Sequence, residues 1–282
     1  MFAVSVELPE THILAIQMQE ILPGKTIDSV RTSSTDKLQK IGFMHRDLKI
    51  YNRLIGEIAK NAYDRGMTIV VSFSNSANLV VGLEYGGTAL YHTPEGTSDE
   101  KFHLKLGFTD GSDLTVRVKS MGAILVYSTD ELDKSYIYKR DFSTGLSPLK
   151  KDFTFERFSD AIGSQNKQMK ALLVGKDAVV VGFGNAAYQE FIYRAGIHPK
   201  RKGPELSPAE RRALFDAIRE IVNARLAQGG KTQFTDLYGT PGRYEPIMGP
   251  HMKGQCCQRC DTVIESGQIG GGLTFFCPTC QR

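Results

Sequence analysis

Residues 257–280 read CQRCDTVIESGQIGGGLTFFCPTC, with cysteines at 257, 260, 277 and 280. Two C-x2-C pairs separated by sixteen residues are the spacing at which four thiolates close around one tetrahedral metal ion. Cys257, Cys260, Cys277 and Cys280 are therefore the expected ligands of a structural Zn²⁺. The segment between the pairs, Asp261 to Phe276, sets Gly267, Gly270, Gly271 and Gly272 among apolar stretches and reads as a β-hairpin with a Gly-rich tip. Phe275 and Phe276 are expected to pack under the metal. Cys256 reads as a spare thiol, since the other four already form a symmetrical set. Thiolate ligands beside a free thiol suit a reducing cytosol.

Working outward, the chain of 282 residues is 41% hydrophobic and 23% charged, an ordinary globular balance that allows two lobes with separate cores. No apolar run approaches the roughly 20 residues of a membrane span. Met1 to Glu10 lacks the basic region and apolar stretch of a secretion signal, so a cytoplasmic protein is expected, nucleoid-associated if bacterial. The formal charge of +4 says little by itself, but basic residues outnumber acidic ones about two to one from Arg194 to Arg259. A basic lobe next to a metal hairpin favours a polyanionic partner.

The apolar positions 13, 14, 16, 18, 21 and 22 predict a helix over 11–22, ended by Pro23-Gly24. Short Val/Ile/Thr/Phe-rich runs follow at 68–73, 78–83, 102–108, 114–118 and 123–127 and predict an antiparallel sandwich or barrel. The stretch 49–62 fits helix or strand equally. Beyond Asp141 the pattern turns helical, at 155–164, 167–173, 188–195 and 208–228. The last of these opens with Ser207, Pro208 and Glu210 and closes at Gly229-Gly230. The expected class is α+β, in two lobes: a β-sandwich domain over 1–148, a helical domain over 149–250 and the zinc hairpin over 251–282.

At the other end of the chain stands Glu7-Leu8-Pro9-Glu10. Taken in order with Gly182-Phe183-Gly184-Asn185, Ala195-Gly196-Ile197-His198-Pro199 and the terminal cysteines, it resembles the Fpg/endonuclease VIII family of DNA glycosylases over nearly the whole chain. Members begin Met-Pro-Glu-Leu-Pro-Glu, carry a helix–two-turn–helix with a Gly-x-Gly-Asn loop, and end in a zinc hairpin of this spacing. The resemblance implies base excision repair on damaged double-stranded DNA, lying between the lobes of a monomer, with the target base flipped out.

The resemblance also locates the departures. The family's nucleophilic N-terminal proline falls on Val6, whose nitrogen is an amide because five residues precede it. Its reactive lysine falls near Met67, its hairpin arginine on Gly272, and its Arg-rich loop on Lys119-Ser120-Met121-Gly122. With the imine nucleophile missing, Glu7 is the expected catalytic carboxylate, with Glu10 just beyond. Glu7 is read as activating water against the sugar C1′. That chemistry leaves the abasic site uncut and gives no adduct on borohydride trapping. Glu7 would also serve as a helix cap; a catalytic Glu7 is expected to face an open, polar pocket. Tyr85 falls at the wedge position that fills the hole left by a flipped base, with Met121 and Lys119 from a second loop. Asn185 would donate to the DNA backbone from the helix N-terminus, and Lys200 and Arg201 would lie on phosphate. His198 is expected to be structural. A non-catalytic relative that recognises lesions is the alternative; a nuclease is disfavoured because no carboxylate–histidine cluster suggests a catalytic metal.

Overall fold

The computed structural model describes residues 5–96, 101–143 and 145–282; of the five residues before Val6, only Ser5 falls among them. The chain divides into two compact units, residues 5–143 with Gln228–Arg243, and residues 145–227 with Tyr244–Arg282.

The first unit opens with helix α1 (Leu8–Ile21). It starts three residues earlier than the apolar spacing predicts because Glu7 is its N-cap and Pro9 sits in the first turn, where a missing N–H costs nothing. Then come β1 (Ile27–Thr32), the short helix α2 (Asp36–Lys40), β2 (Ala59–Arg65), β3 (Thr68–Phe73), β4 (Ala77–Gly82), β5 (Thr88–His92), β6 (Leu104–Phe108), β7 (Asp113–Arg117), β8 (Ala123–Ser128) and α3 (Tyr136–Phe142). The undecided stretch 49–62 resolves into a 3-10 turn, Leu48–Leu54, and the start of β2.

Two antiparallel four-stranded sheets result, in the orders β1-β6-β7-β5 and β2-β3-β4-β8. Their facing surfaces bury Leu79, Val81, Ile69, Val71, Leu104, Leu106, Leu114 and Val116 together with Leu14 and Met18 of α1. Each such side chain contributes about 1.5–3 kcal/mol. The other face of the second sheet buries Val70, Val80 and Leu125 under Leu132 and Ile137. Strands β3 and β4 are thus covered on both faces, which is why their sequences are unbroken apolar runs. Phe234 and Leu237, from the segment Gln228–Arg243, join the sandwich core. The Gln17 side chain clamps that segment, accepting from the Leu237 N–H at 3.0 Å and donating to Asp236 at 2.9 Å.

Two histidines make this unit acid-sensitive. His45 Nε2 accepts the Val126 N–H and His103 Nδ1 accepts the Val118 N–H, each at 3.0 Å. Burial holds both pKa values below the ordinary 6.5, with Arg117 adding to the effect at His103. The unfolded chain therefore takes up these protons first as pH falls. Stability is fully present above about 6.5 and declines below it. The urea midpoint should drop between about pH 7.5 and 5.5, and a His45→Gln/His103→Gln double variant should flatten that part of the profile.

The second unit contains α4 (Phe155–Gly163), α5 (Met169–Leu173), α6 (Asn185–Ala195), α7 (Pro208–Ala227) and the hairpin β9 (Glu265–Ile269) and β10 (Gly272–Phe276). Helix α7 begins with a capping box, in which the Ser207 N–H donates to Glu210 at 2.7 Å and the Glu210 N–H donates to Ser207 Oγ at 3.2 Å. Phe158, Ile162, Leu172, Tyr188, Phe191, Leu214 and Ile218 are buried. Inside this core Arg225 pairs with Glu190. The second carboxylate oxygen of Glu190 accepts from Tyr244 Oη at 2.7 Å and from the Ile247 N–H at 3.0 Å. Among the described residues no helix is long and apolar enough to cross a membrane.

Candidate functional site

The start of α1 gathers the charged cluster of the first unit. Glu10 closes back on the helix start and accepts the Glu7 N–H at 3.1 Å, so it is a capping residue. Both carboxylates are fully buried. Their charge is met by Lys231, itself 3% exposed, whose Nζ lies 3.2 Å from Glu7 Oε2 and 3.8 Å from Glu10 Oε2. The same ammonium donates to the Ser5 carbonyl at 2.6 Å and to Ser5 Oγ at 3.2 Å. The Lys231 N–H donates to Glu10 Oε1 at 3.3 Å. Gly230, at φ +92°, permits this approach, because a Cβ there would meet the Phe234 ring at 2.5 Å.

This arrangement corrects one expectation. Glu7 faces a polar but closed environment rather than an open pocket. The lysine that closes it was missed by sequence reasoning, because Lys231 and Glu7 are 224 residues apart and nothing local to the Gly229-Gly230-Lys231 string marks its destination. Val6 is buried and its N–H donates to the Glu84 carbonyl at 2.7 Å.

Beside the cluster run two loops. Ser5 bridges to Tyr85, and the Tyr85 N–H donates to the Met121 carbonyl at 3.2 Å. Gly122 lets the second loop close on the first, since a Cβ at that position would lie 2.2 Å from the Gly82 carbonyl oxygen. Tyr85, Lys119 and Met121 are thereby brought to one edge, with Lys119 exposed and Met121 46% exposed. Tyr85 is half-buried; burial raises its phenol pKa, and the nearby charges of Glu7 and Glu84 raise it further. Glu84 does not face outward: it is buried against Arg140, whose guanidinium also grips Asp141.

In the second unit Asn185 opens α6, and its Nδ2 donates to the Leu273 carbonyl at 2.8 Å. Lys200 is exposed. Arg201 is committed to Glu210 at 3.1 Å and to the Glu205 carbonyl at 2.6 Å. His198 packs edge-on against Phe276 with ring centroids 5.0 Å apart. The hairpin tip, Gly270-Gly271, has φ +57° and +78°, the pair of left-handed residues that a two-residue type I′ turn needs. Lys170 runs beneath the tip and donates to the Ile269 carbonyl at 3.2 Å; a Cβ on Gly272 would lie 2.6 Å from its Nζ. Burial pushes the Lys170 pKa down.

The sulfurs of Cys257, Cys260, Cys277 and Cys280 all lie within 4.8 Å of one another, and the group could hold a metal ion. Cys257 and Cys280 are 3.8 Å apart and Cys260 and Cys277 are 3.5 Å apart. A tetrahedral zinc with Zn–S of about 2.3 Å requires sulfur–sulfur edges of about 3.8 Å. The Thr262 hydroxyl lowers Cys260 to about 6, while the neighbouring Cys260 sulfur raises Cys280 to about 12. Phe275 and Ile264 pack with Cys257 and Cys277 in one apolar cluster, whereas Cys256 is exposed outside it.

Comparison with known proteins also divides the chain near residue 144, although its second match runs on into the Gln228–Arg243 segment of the first unit. The formamidopyrimidine-DNA glycosylase N-terminal domain matches residues 6–120 and the H2TH domain of the same enzymes matches residues 144–236. A formamidopyrimidine-DNA glycosylase of Streptococcus pneumoniae is 28% identical over 281 residues, 98% of each chain. One from Bacillus cereus is 26% identical over 280 residues, again 98% of each. Among solved structures, the Lactococcus lactis Fpg in complex with DNA containing an abasic site has a TM-score of 0.83 at 24% identity, covering 98% of this chain and 99% of that one. MutM in complex with DNA containing carbocyclic 8-oxo-G has a TM-score of 0.82 at 24% identity with the same coverage. At these identities the structures establish the fold.

Proposed function

The chain belongs to the formamidopyrimidine-DNA glycosylase family, and from that premise we propose a DNA glycosylase of base excision repair that binds damaged duplex DNA and releases the altered base through Glu7. The observation that carries this reading is the buried Glu7–Lys231 pair at the start of α1, beside the two loops that hold Tyr85, Lys119 and Met121. Glu7 acts as the base that activates water at the sugar C1′. Glu10 positions it through the Glu7 N–H. Position 6 plays no part in imine formation, because the Val6 amide is bonded to the Glu84 carbonyl. Met121 and the Tyr85 ring fill the space of the flipped base and Lys119 meets phosphate. Asn185, Lys200 and Arg201 meet the DNA backbone, Asn185 and Arg201 after exchanging their present carbonyl and carboxylate partners. Zinc on Cys257, Cys260, Cys277 and Cys280 holds the hairpin in shape.

One observation favours a second reading. Glu7 is 0% exposed and its charge is already met by Lys231, as in a relative that recognises lesions without acting on them. Incubation with a panel of duplexes, each carrying one lesion, separates the two. Free base appearing from at least one lesion is expected; tight lesion binding with no release leaves only the second reading. Under either reading the affinity should fall more than about tenfold between 50 and 200 mM salt, as even a few phosphate contacts require.

A further inference from the structure

We propose that Lys231 supplies an amine to this site and that its Nζ forms an imine with the C1′ aldehyde of an abasic sugar. The substrate of this second activity rests on the glycosylase reading; the activity itself goes beyond it and reverses the expectation of an uncut abasic site.

The placement is specific. Nζ lies 2.6 Å from the carbonyl oxygen of Ser5, the peptide group whose nitrogen is that of Val6. Standard peptide dimensions then put Nζ within about 5 Å of that nitrogen. The Val6 nitrogen is an amide bonded to Glu84 and has no nucleophilic lone pair. Lys231 thus brings a primary amine to the point where the backbone offers none. It brings it beside a carboxylate, with Glu7 Oε2 at 3.2 Å.

As an element of the fold alone the cluster is costly. Desolvating an ammonium and two carboxylates often cancels their attraction, and a well-packed apolar side chain serves at least as well. As chemistry it is complete. The ammonium passes a proton to Glu7, and the neutral amine adds to C1′, forming a C–N bond. The carbonyl oxygen leaves as water after protonation, which yields the imine. Loss of a C2′ proton then expels the 3′ phosphate by breaking its bond to C3′, and water hydrolyses the imine to restore the lysine. No oxidant or reductant is consumed. The glycines at 229 and 230, with φ of +70° and +92°, precede Lys231 directly and take left-handed conformations that other residues rarely adopt.

The test uses the full chain, a duplex with one preformed abasic site, and borohydride. The wild-type protein should give a covalent adduct, and peptide mass mapping should place the reduced sugar on Lys231. Lys231→Arg keeps the cation for Glu7 but forms no imine, so it should lose at least about 100-fold in trapping, with circular dichroism on the same preparation reporting its fold. No adduct with the wild type, an adduct mapped to any other amine, or undiminished trapping by a folded Lys231→Arg would overturn the proposal. Mass mapping on the wild type decides the matter even if the variant misfolds. Base release from lesion duplexes is measured in parallel. Release without trapping removes the lysine chemistry and keeps the glycosylase. Trapping on abasic DNA with no release from any lesion keeps the lysine and removes the glycosylase.

Discussion

Glu7→Gln should lower base release from a lesion duplex by about 10²- to 10⁴-fold, the range general acid–base catalysis supplies, while changing duplex affinity by less than about threefold. Glutamine preserves the length of the side chain and its amide oxygen can still accept from Lys231 Nζ, now 3.2 Å from Glu7 Oε2. What it loses is the capacity to take a proton. The capping box of α1 survives, because the bond from the Glu7 N–H to Glu10 is untouched and the glutamine oxygen can still accept the Glu10 N–H that the Glu7 side chain accepts. A helix-capping role alone would therefore leave release unchanged, and unchanged release in Glu7→Gln would assign Glu7 to structure. Single-turnover release, with circular dichroism and a binding titration on the same preparation, separates lost chemistry from lost folding.

Removal of the metal site should have the second largest effect. Cys277→Ala, or a strong chelator applied to the wild-type protein, should reduce bound zinc from about one ion per chain to none, and duplex affinity should fall at least about tenfold. Structural zinc contributes about 10–16 kcal/mol to folding in small isolated fingers. Here the consequence should stay local, because Phe275, Ile264, Met248 and Met252 give the hairpin region an apolar cluster of its own. Loss of the hairpin releases Asn185 from Leu273 and Lys170 from Ile269. Metal analysis, thermal melting and binding should change together, and Cys256→Ala, at an exposed cysteine outside the cluster, should change none of them. A Cys277→Ala chain that still holds zinc would mean that the four sulfurs are not the ligands.

How much of this was legible beforehand depends on where each residue sits. Strands β3, β4, β6, β7 and β8 were readable because burial forces apolar runs or alternation into their sequences. Strands β1, β2 and β5 were not. They are edge strands, and the patterns IDSVRT and AKNAYDR carry polar residues on the side that faces water. The beginning of α1 was placed too late because a helix start is set by its cap, Glu7, and not by apolar spacing. The Gly-rich tip was recognised as a turn, yet its cause, the Lys170 side chain running under Gly270 and Gly272, lies about a hundred residues away in the chain.

By itself the sequence determined the apolar strands, the long capped helix and the cysteine spacing that brings four sulfurs together. Each of these depends on residues a few positions apart, where spacing and covalent chemistry decide the outcome. Only the tertiary structure decided that Gln228–Arg243 packs with the first unit and delivers Lys231 to Glu7. A buried charge must find its counter-charge wherever folding brings one, and across 224 residues no local pattern records that meeting.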